Sequence, residues 1–142
     1  MSITKAAGIL VYRRISEKIE YLLLQASYPP HHWTPPKGHV DPTDKDEFEA
    51  AMRETKEEAN IGGEQLEVDQ NYSHLMQYEV KGKPKTIKYW IGKLKDGSVV
   101  ELSHEHQNQK WCELAEALKV TDYKEMQILL VEAEEYIRNN HK

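Results

Sequence analysis

Apolar residues recur along this chain at two spacings, one typical of strands and one typical of helices. Apolar runs from Ile3 to Val11 and from Ile19 to Gln25 flank a polar stretch, which predicts a β-hairpin. The runs from Leu66 to Val80 and from Thr86 to Lys95 flank a segment with one glycine and one proline, which predicts a second hairpin. A short run from Lys110 to Cys112 predicts one more strand.

Two segments carry apolar residues at helical spacing. From Glu47 to Ala59 the spacing predicts a helix, which Asp44 or Asp46 can cap at its start and Asn60 can end. From Tyr123 to Asn140 a single apolar stripe predicts a closing amphipathic helix. This order of strands and helices predicts an α/β fold with helices on the faces of a mixed sheet.

A proline-rich stretch lies between the first hairpin and the first helix. Five prolines fall between Ser27 and Asp44, and proline lacks the N–H that a central strand needs. We therefore expect a shaped loop, in which Trp33 and Thr34 form a short strand.

Composition narrows the class of protein. The chain has 142 residues, of which 39% are hydrophobic and 30% charged, so we expect one globular domain over residues 1–142. No segment is apolar enough to predict a membrane span or a signal peptide, and Cys112 is the only cysteine. We expect a cytoplasmic monomer with no membrane partner. The net charge of -5 argues against general nucleic-acid binding.

Charged residues are unevenly distributed. Lysines cluster at Lys81, Lys83, Lys85 and Lys88, whereas carboxylates cluster between Asp41 and Glu58. A protein that separates cationic from anionic side chains in this way can hold an anionic substrate together with cations. A polyphosphate with bound metal fits that division.

Within the first predicted helix, Arg53, Glu54, Glu57 and Glu58 fall in an arc of about 140°. Like charges at this spacing repel one another, so a cation beside them would stabilise the helix. Oxygen ligands suit Mg²⁺, or Mn²⁺ in its place, and the carbonyl of Gly38 could reach the same ion. The alternative is a solvated helix face with surface ion pairs, which is what most charged helical clusters are.

The stretch from Gly38 to Ile61 resembles the Nudix box, G-x5-E-x7-R-E-U-x-E-E-x-G-U, where U is a bulky apolar residue. It departs from the box at two places. The gap from Gly38 to Arg53 is one residue longer, which puts Lys45 at the first glutamate position and makes Asp44 its candidate substitute. Asn60 replaces the box glycine, and asparagine also tolerates the left-handed conformation.

The resemblance implies a Nudix fold, an α/β/α sandwich around a mixed β-sheet, and hydrolysis of a pyrophosphate bond. It implies catalytic roles for Glu54, Glu58 and Arg53, with Arg53 orienting the glutamates. The implied metal ligands are Gly38, Glu54, Glu57 and Glu58, and Glu105 is a further candidate ligand from outside the box.

Segments outside the box resemble one group of the family, the animal-type asymmetric diadenosine tetraphosphate hydrolases. These segments are Gln25–Ser27, His31–Val40, Lys83–Lys85, Leu102–Gln107 and Tyr123–Met126. The resemblance implies that a small dinucleoside polyphosphate is split unequally into ATP and AMP. It implies that Lys37, Lys83 and Lys85 bind phosphates and that Tyr78 and Tyr123 sandwich adenine. His31 and Tyr28 are further candidates for this substrate pocket.

Other interpretations stay open at this point. Lysines in a turn often serve solubility, Tyr123 can be a packing residue of the last helix, and Tyr78 can be an ordinary strand residue. The protein could also be a Nudix hydrolase of another nucleoside polyphosphate or of an RNA 5′ end, or a module that binds dinucleotides without cutting them.

Overall fold

The structure is a computed structural model that describes residues 3–96, 106–121 and 123–141. These residues form seven strands: β1 (Thr4–Ile15), β2 (Lys18–Ala26), β3 (Trp33–Thr34), β4 (Lys37–His39), β5 (Leu66–Val80), β6 (Lys83–Leu94) and β7 (His106–Cys112). The helices are α1 (Glu47–Ala59), α2 (Leu114–Val120) and α3 (Lys124–Asn140), and a 3-10 turn spans Gly63–Gln65.

Strand β1 is the centre of a mixed sheet. The strand order is β3-β2-β1-β6-β5, with β4 also paired to β1 and β7 to β2. β1 runs parallel to β6 and antiparallel to β2 and β4. β2 pairs with β1 only over Tyr12–Ile15, while β4 pairs with it over Ala6–Gly8. β2 and β4 therefore pair with different parts of β1, and β4 lies where β1 and β2 are no longer paired.

Alternating side chains of the central strands pack into two cores on opposite faces of the sheet. On β1, Ala7, Ile9 and Val11 pack against α1, whereas Leu10 and Tyr12 pack in the core that includes α2 and α3. The result is three layers, with helices on both faces of a mixed sheet. The predicted α/β/α sandwich is confirmed.

Helix α1 occupies the predicted range and has the predicted caps. The Asp46 side chain accepts a hydrogen bond from the Glu49 N–H at 2.8 Å. Asn60 has a left-handed conformation (φ 57°), and its N–H donates to the Lys56 carbonyl at 3.0 Å. Both ends of the helix thus satisfy backbone groups that would otherwise lack partners.

Two local predictions are wrong, and one helix was missed. β4 lies within the predicted loop, where Lys37–His39 pair with β1, and α2 was not predicted at all. The second hairpin turns on Lys81 and Gly82 alone, both with positive φ, so Lys83 and Lys85 lie in β6 rather than in a turn. Pro84 is tolerated in β6 because the pairing with β1 begins only at the next residue.

None of the helices in the described part of the chain is both long and apolar enough to cross a membrane.

Candidate active site

Arg53 is the centre of a hydrogen-bonded cluster at the exposed side of α1. Its Nε and Nη2 donate to the two carboxylate oxygens of Asp44 at 3.0 and 2.9 Å, and Nη2 also donates to the His39 carbonyl at 3.0 Å. Its Nη1 donates to Glu54 and Glu57, each at 3.1 Å. One guanidinium therefore fixes the loop before α1 and two of the predicted glutamates.

Asp44, the candidate substitute for the box glutamate, accepts hydrogen bonds from Arg53 at both of its carboxylate oxygens. Its side chain is 2% exposed, and it also accepts a hydrogen bond from the Asp41 N–H at 2.8 Å. The hydrogen bonds from Arg53, followed by that from Asp41, hold the pKa of Asp44 below its usual range. Lys45, in contrast, is exposed. The extra residue in the loop is thus accommodated without losing the partner of Arg53.

Glu58 points inward, which differs from the predicted exposed face of carboxylates. Only 6% of Glu58 is exposed, and its Oε1 accepts a hydrogen bond from the Lys37 N–H at 3.0 Å. Glu57, with 56% of its side chain exposed, stays on the outer face. A buried carboxylate held by a backbone donor has one defined orientation, as a group that takes part in chemistry requires.

Gly38 lies directly against Glu54. A Cβ at Gly38 would be 2.1 Å from the Glu54 carboxyl carbon and 2.2 Å from its Oε1, so glycine is what permits this approach. The backbone of β4 and the Glu54 carboxylate of α1 are therefore adjacent. This geometry is compatible with the prediction that the Gly38 carbonyl and Glu54 bind the same metal ion.

The chemistry of these residues fits a hard divalent cation, because all of the donors are oxygens. Among the described residues, however, no three Asp, Glu, His or Cys side chains converge on one point, and Arg53 links Glu54 to Glu57 instead. Glu105 lies outside the described residues. The ligand set of Gly38, Glu54, Glu57, Glu58 and Glu105 remains a prediction.

Two lysines have side chains on the same face of the sheet, because Lys37 pairs with Gly8 and Lys85 with Thr4 of β1. Lys37 on β4 and Lys85 on β6 are both partly buried, and burial together with the positive charge of Lys37 lowers the pKa of Lys85. Two cations in such surroundings repel each other, and an anion placed between them would relieve the repulsion. The phosphate-binding roles of Lys37 and Lys85 remain predictions. Lys83, at the start of β6, is exposed.

Of the two tyrosines predicted to hold a base, one is placed beside Lys85 by strand register. Tyr78 on β5 is the register partner of Lys85, and Tyr123 is the N-cap residue of α3. Both are partly buried against the core on the α3 face, and the Tyr123 ring contacts that of His32 edge to face at 6.0 Å. Tyr123 thus packs at the start of α3 as the alternative interpretation expected, and it also faces the loop before β3.

Tyr28 and His31 belong to the loop that follows β2. Tyr28 is 62% exposed. The Nδ1 of His31 lies 3.0 Å from the Ala26 carbonyl oxygen, and the His31 N–H donates to the Tyr28 carbonyl at 2.9 Å. These contacts stay within the loop, so the substrate roles of both residues remain predictions.

Sequence analysis missed two residues of this region, Gly8 and Tyr89. A Cβ on Gly8 would be 2.3 Å from the Pro36 carbonyl oxygen and 2.9 Å from the Tyr89 ring, so β4 and Tyr89 can approach only because Gly8 has no side chain. A lone glycine within a strand is a known signal of close backbone approach and could have revealed this. Tyr89, between Ile87 and Ile91, looks like an ordinary core residue in the sequence.

Comparison with known proteins agrees with this fold. The model of the NUDIX domain family matches residues 3–132. The chain is 62% identical over 128 residues to a Caenorhabditis elegans protein named bis(5'-nucleosyl)-tetraphosphatase [asymmetrical], covering 90% of this chain and 92% of the relative. A Mus musculus protein of the same name is 42% identical over 140 residues, covering 94% and 95%.

A solved structure agrees as well. The chain superimposes with a TM-score of 0.92 and 58% identity on a C. elegans Ap4A hydrolase crystallised as a binary complex, covering 96% of this chain and 98% of that one. The chain belongs to the Nudix family. Its predicted resemblance to the asymmetrical bis(5'-nucleosyl)-tetraphosphatases, and the class of enzyme which that resemblance names, are confirmed by these relatives.

Proposed function

We propose that this protein hydrolyses diadenosine tetraphosphate asymmetrically to ATP and AMP, with Mg²⁺ as its cofactor and Mn²⁺ as a possible substitute. The observation that carries the proposal is the position of Lys37. Its N–H donates to the buried carboxylate of Glu58, and its side chain lies on the same face of the sheet as that of Lys85. Lys37 thus links a carboxylate for the chemistry with a second cation for a polyphosphate, in a chain whose relatives carry the name of this activity.

Cationic and anionic residues of the chain would have different roles in the reaction. Lys37 and Lys85 would bind phosphate oxygens, and Tyr78 and Tyr123 would stack on adenine, which contributes about 1 to 3 kcal/mol per base. Glu58 would act on the attacking water, held in orientation by the Lys37 N–H. Arg53 would keep Glu54 and Glu57 in place. A divalent ion bound by Gly38, Glu54, Glu57, Glu58 and Glu105 would neutralise charge on the polyphosphate.

Product analysis tests the proposed activity. Diadenosine tetraphosphate incubated with the protein and Mg²⁺ in ¹⁸O water should give ATP and AMP, with the label in one product that identifies the attacked phosphorus. Equal amounts of ADP, or turnover undiminished by a chelator, would contradict the proposal. Faster turnover of a triphosphorylated RNA would instead favour an RNA 5′-end hydrolase.

Two lysines of the same strand allow a matched test of the phosphate site. Lys85→Met should raise KM about tenfold or more, because a charge-assisted hydrogen bond is lost. Lys88→Met is the control, since Lys88 lies on the other face of β6 with its Nζ 5.1 Å from the Trp90 ring centroid. An equal change in KM for the two variants would show that Lys85 does not bind a phosphate.

The role of Glu58 can be tested with an isosteric change. Glu58→Gln keeps an oxygen that can accept from the Lys37 N–H, so the fold should be retained, but kcat should fall by about 100-fold or more. Circular dichroism would check the helix content. Wild-type binding without hydrolysis by either protein would instead support a binding module.

We also propose that the enzyme works as a monomer in the cytoplasm. An unpaired Cys112 suits a reducing compartment, and burial raises its pKa to about 11, which keeps the thiol protonated and unreactive. Light scattering coupled to size exclusion should give the mass of one chain, 16.6 kDa.

A further inference from the structure

The hydroxyl of Tyr89 lacks a hydrogen-bond partner although it is fully buried. Tyr89 is 0% exposed, and within residues 3–96, 106–121 and 123–141 its hydroxyl is the single buried side-chain polar atom without a partner. Buried polar groups are almost always hydrogen-bonded, and an exception calls for an explanation. A hydroxyl that is satisfied only when a ligand binds is one such explanation.

Strand register places this tyrosine at the candidate active site. Gly8 of β1 pairs with Tyr89 of β6 on one side and with Lys37 of β4 on the other. A Cβ added to Gly8 would lie close to the Tyr89 Cε1, the ring carbon next to the one that carries the hydroxyl. The same Cβ would lie close to the Lys37 Cβ. The hydroxyl end of the ring, rather than its base, therefore extends over β1 toward β4.

The surroundings of the hydroxyl indicate what kind of ligand it meets. Burial raises the pKa of Tyr89 well above its usual value, and Tyr123, Tyr78 and Glu58, in that order, raise it further because they lie nearby. Tyr123 and Tyr78 are the proposed walls for the base, and Glu58 is the proposed catalytic carboxylate. The Tyr89 hydroxyl therefore interacts electrostatically with residues of both proposed parts of the site, the base walls and the catalytic carboxylate.

We propose that the Tyr89 hydroxyl is a further substrate-binding group, which donates a hydrogen bond to a phosphate oxygen next to the stacked base. The assignment rests on the proposed function. Tyr78 and Tyr123 are partly buried and pack against the core that contains Tyr89, so the proposed base site and this hydroxyl share one face of the sheet. Phosphate oxygens are acceptors only, which suits a phenol as donor.

Tyr89→Phe tests this directly, with Tyr21→Phe as the matched control. Tyr21 is also 0% exposed, but its hydroxyl already donates to Glu134 at 3.0 Å, away from the site. Tyr89→Phe should raise the Kd of ATP about tenfold, the value of one hydrogen bond to a charged group, and leave the Kd of adenosine unchanged. Its Tm should equal or exceed that of the wild type. Tyr21→Phe should lower Tm and leave both Kd values unchanged.

Each other outcome would overturn the assignment. An unchanged Kd of ATP would mean that the hydroxyl does not bind the ligand, and a weaker adenosine complex would place its contact on the nucleoside. A fall in Tm as large as that of Tyr21→Phe would show that the hydroxyl is bonded within the protein. If the wild type itself neither binds ATP nor cleaves diadenosine tetraphosphate, the proposed function fails rather than the role of Tyr89.

Discussion

A methyl group on Gly38 would meet the Glu54 carboxylate at distances between 2.1 and 2.5 Å. The backbone is not the obstacle, because the nearest atoms are the end of a flexible side chain. Gly38→Ala should therefore fold but displace Glu54, and kcat/KM should fall by about 100-fold, a usual cost of misplacing a catalytic group. The measurement is steady-state kinetics together with Tm.

Gly63→Ala is the control for this change, since the nearest atom to its added Cβ is the Met52 Cε at 3.3 Å. That variant should keep wild-type kinetics. Wild-type activity of Gly38→Ala would mean that the position of Glu54 does not matter for the reaction.

The Asp44–Arg53 pair makes stability depend on pH. The pKa of Asp44 is lowered in the folded protein, so its contribution is fully present above the unfolded pKa of about 3.9 and is lost as pH falls through the folded value. Asp44→Asn should thus lower Tm most near neutral pH, and the difference from the wild type should shrink in strong acid. Thermal melts across pH 2 to 7 measure it.

Asp41→Asn provides the comparison, because Asp41 is 53% exposed and lies 3.4 Å from the Arg53 Nη2. It should give a smaller Tm difference over the same range. A difference for Asp44→Asn that persists undiminished in acid would exclude the ion pair as its cause.

At the scale of single residues, part of the site could be predicted from the sequence. The spacing of Arg53, Glu54 and Glu57 indicated their shared helix face, and the one-residue insertion pointed to Asp44. The inward turn of Glu58 was not predictable from the helix alone, because it depends on the Lys37 N–H of another element.

At the scale of elements, α1 depends on its N-cap. Asp46→Ala removes the acceptor for the Glu49 N–H, and we expect a loss of about 1 kcal/mol in the free energy of unfolding, measured by urea denaturation. Lys45→Ala, an exposed change at the neighbouring residue, should alter that free energy by less than about 0.5 kcal/mol. A loss no larger than that of the control would show that another acceptor replaces Asp46.

Elements with strong local signals were predictable, and those held by distant partners were not. Helix α1 has both caps within its own segment, and its predicted range matches the structure. β4 is three residues long beside two prolines and exists because β1 offers it a partner over Ala6–Gly8. α2, at seven residues, is too short for a clear apolar period.

At the scale of the whole molecule, a polar cluster connects the C-terminal end of α3 to the sheet. It lies at the end of β1 that is farther from Gly8. Asp69 accepts hydrogen bonds from the Tyr136 hydroxyl at 2.7 Å, and its Oδ2 lies 2.7 Å from the His141 Nε2. Arg14 donates to the His141 carbonyl at 2.8 Å. This cluster joins β1, β5 and α3.

Tyr136→Phe should lower Tm and leave kcat and KM unchanged, because it removes one donor from Asp69 without touching the candidate active site. Differential scanning fluorimetry and steady-state kinetics would check both parts. An unchanged Tm would mean that the cluster adds nothing to stability, and altered kinetics would mean that it is coupled to the distant site.

The assembly of the site could not be predicted from the sequence, because it brings together residues that are far apart in the chain. Gly8 and Tyr89 are eighty-one positions apart, and they become neighbours only through the parallel register of β1 and β6. Apolar alternation predicts that both segments are strands, but it carries no information on which strands pair or in which register.

This pairing also has a consequence for how the chain is made. β1 is synthesised before its longest partner, β6, which is complete only when Leu94 has been added. Pairings between such distant segments fold slowly, since a large loop has to close first. We therefore expect that on a nascent chain the carboxylates of α1 are made before the surface they act on, and that the enzyme matures only after β6 has been synthesised.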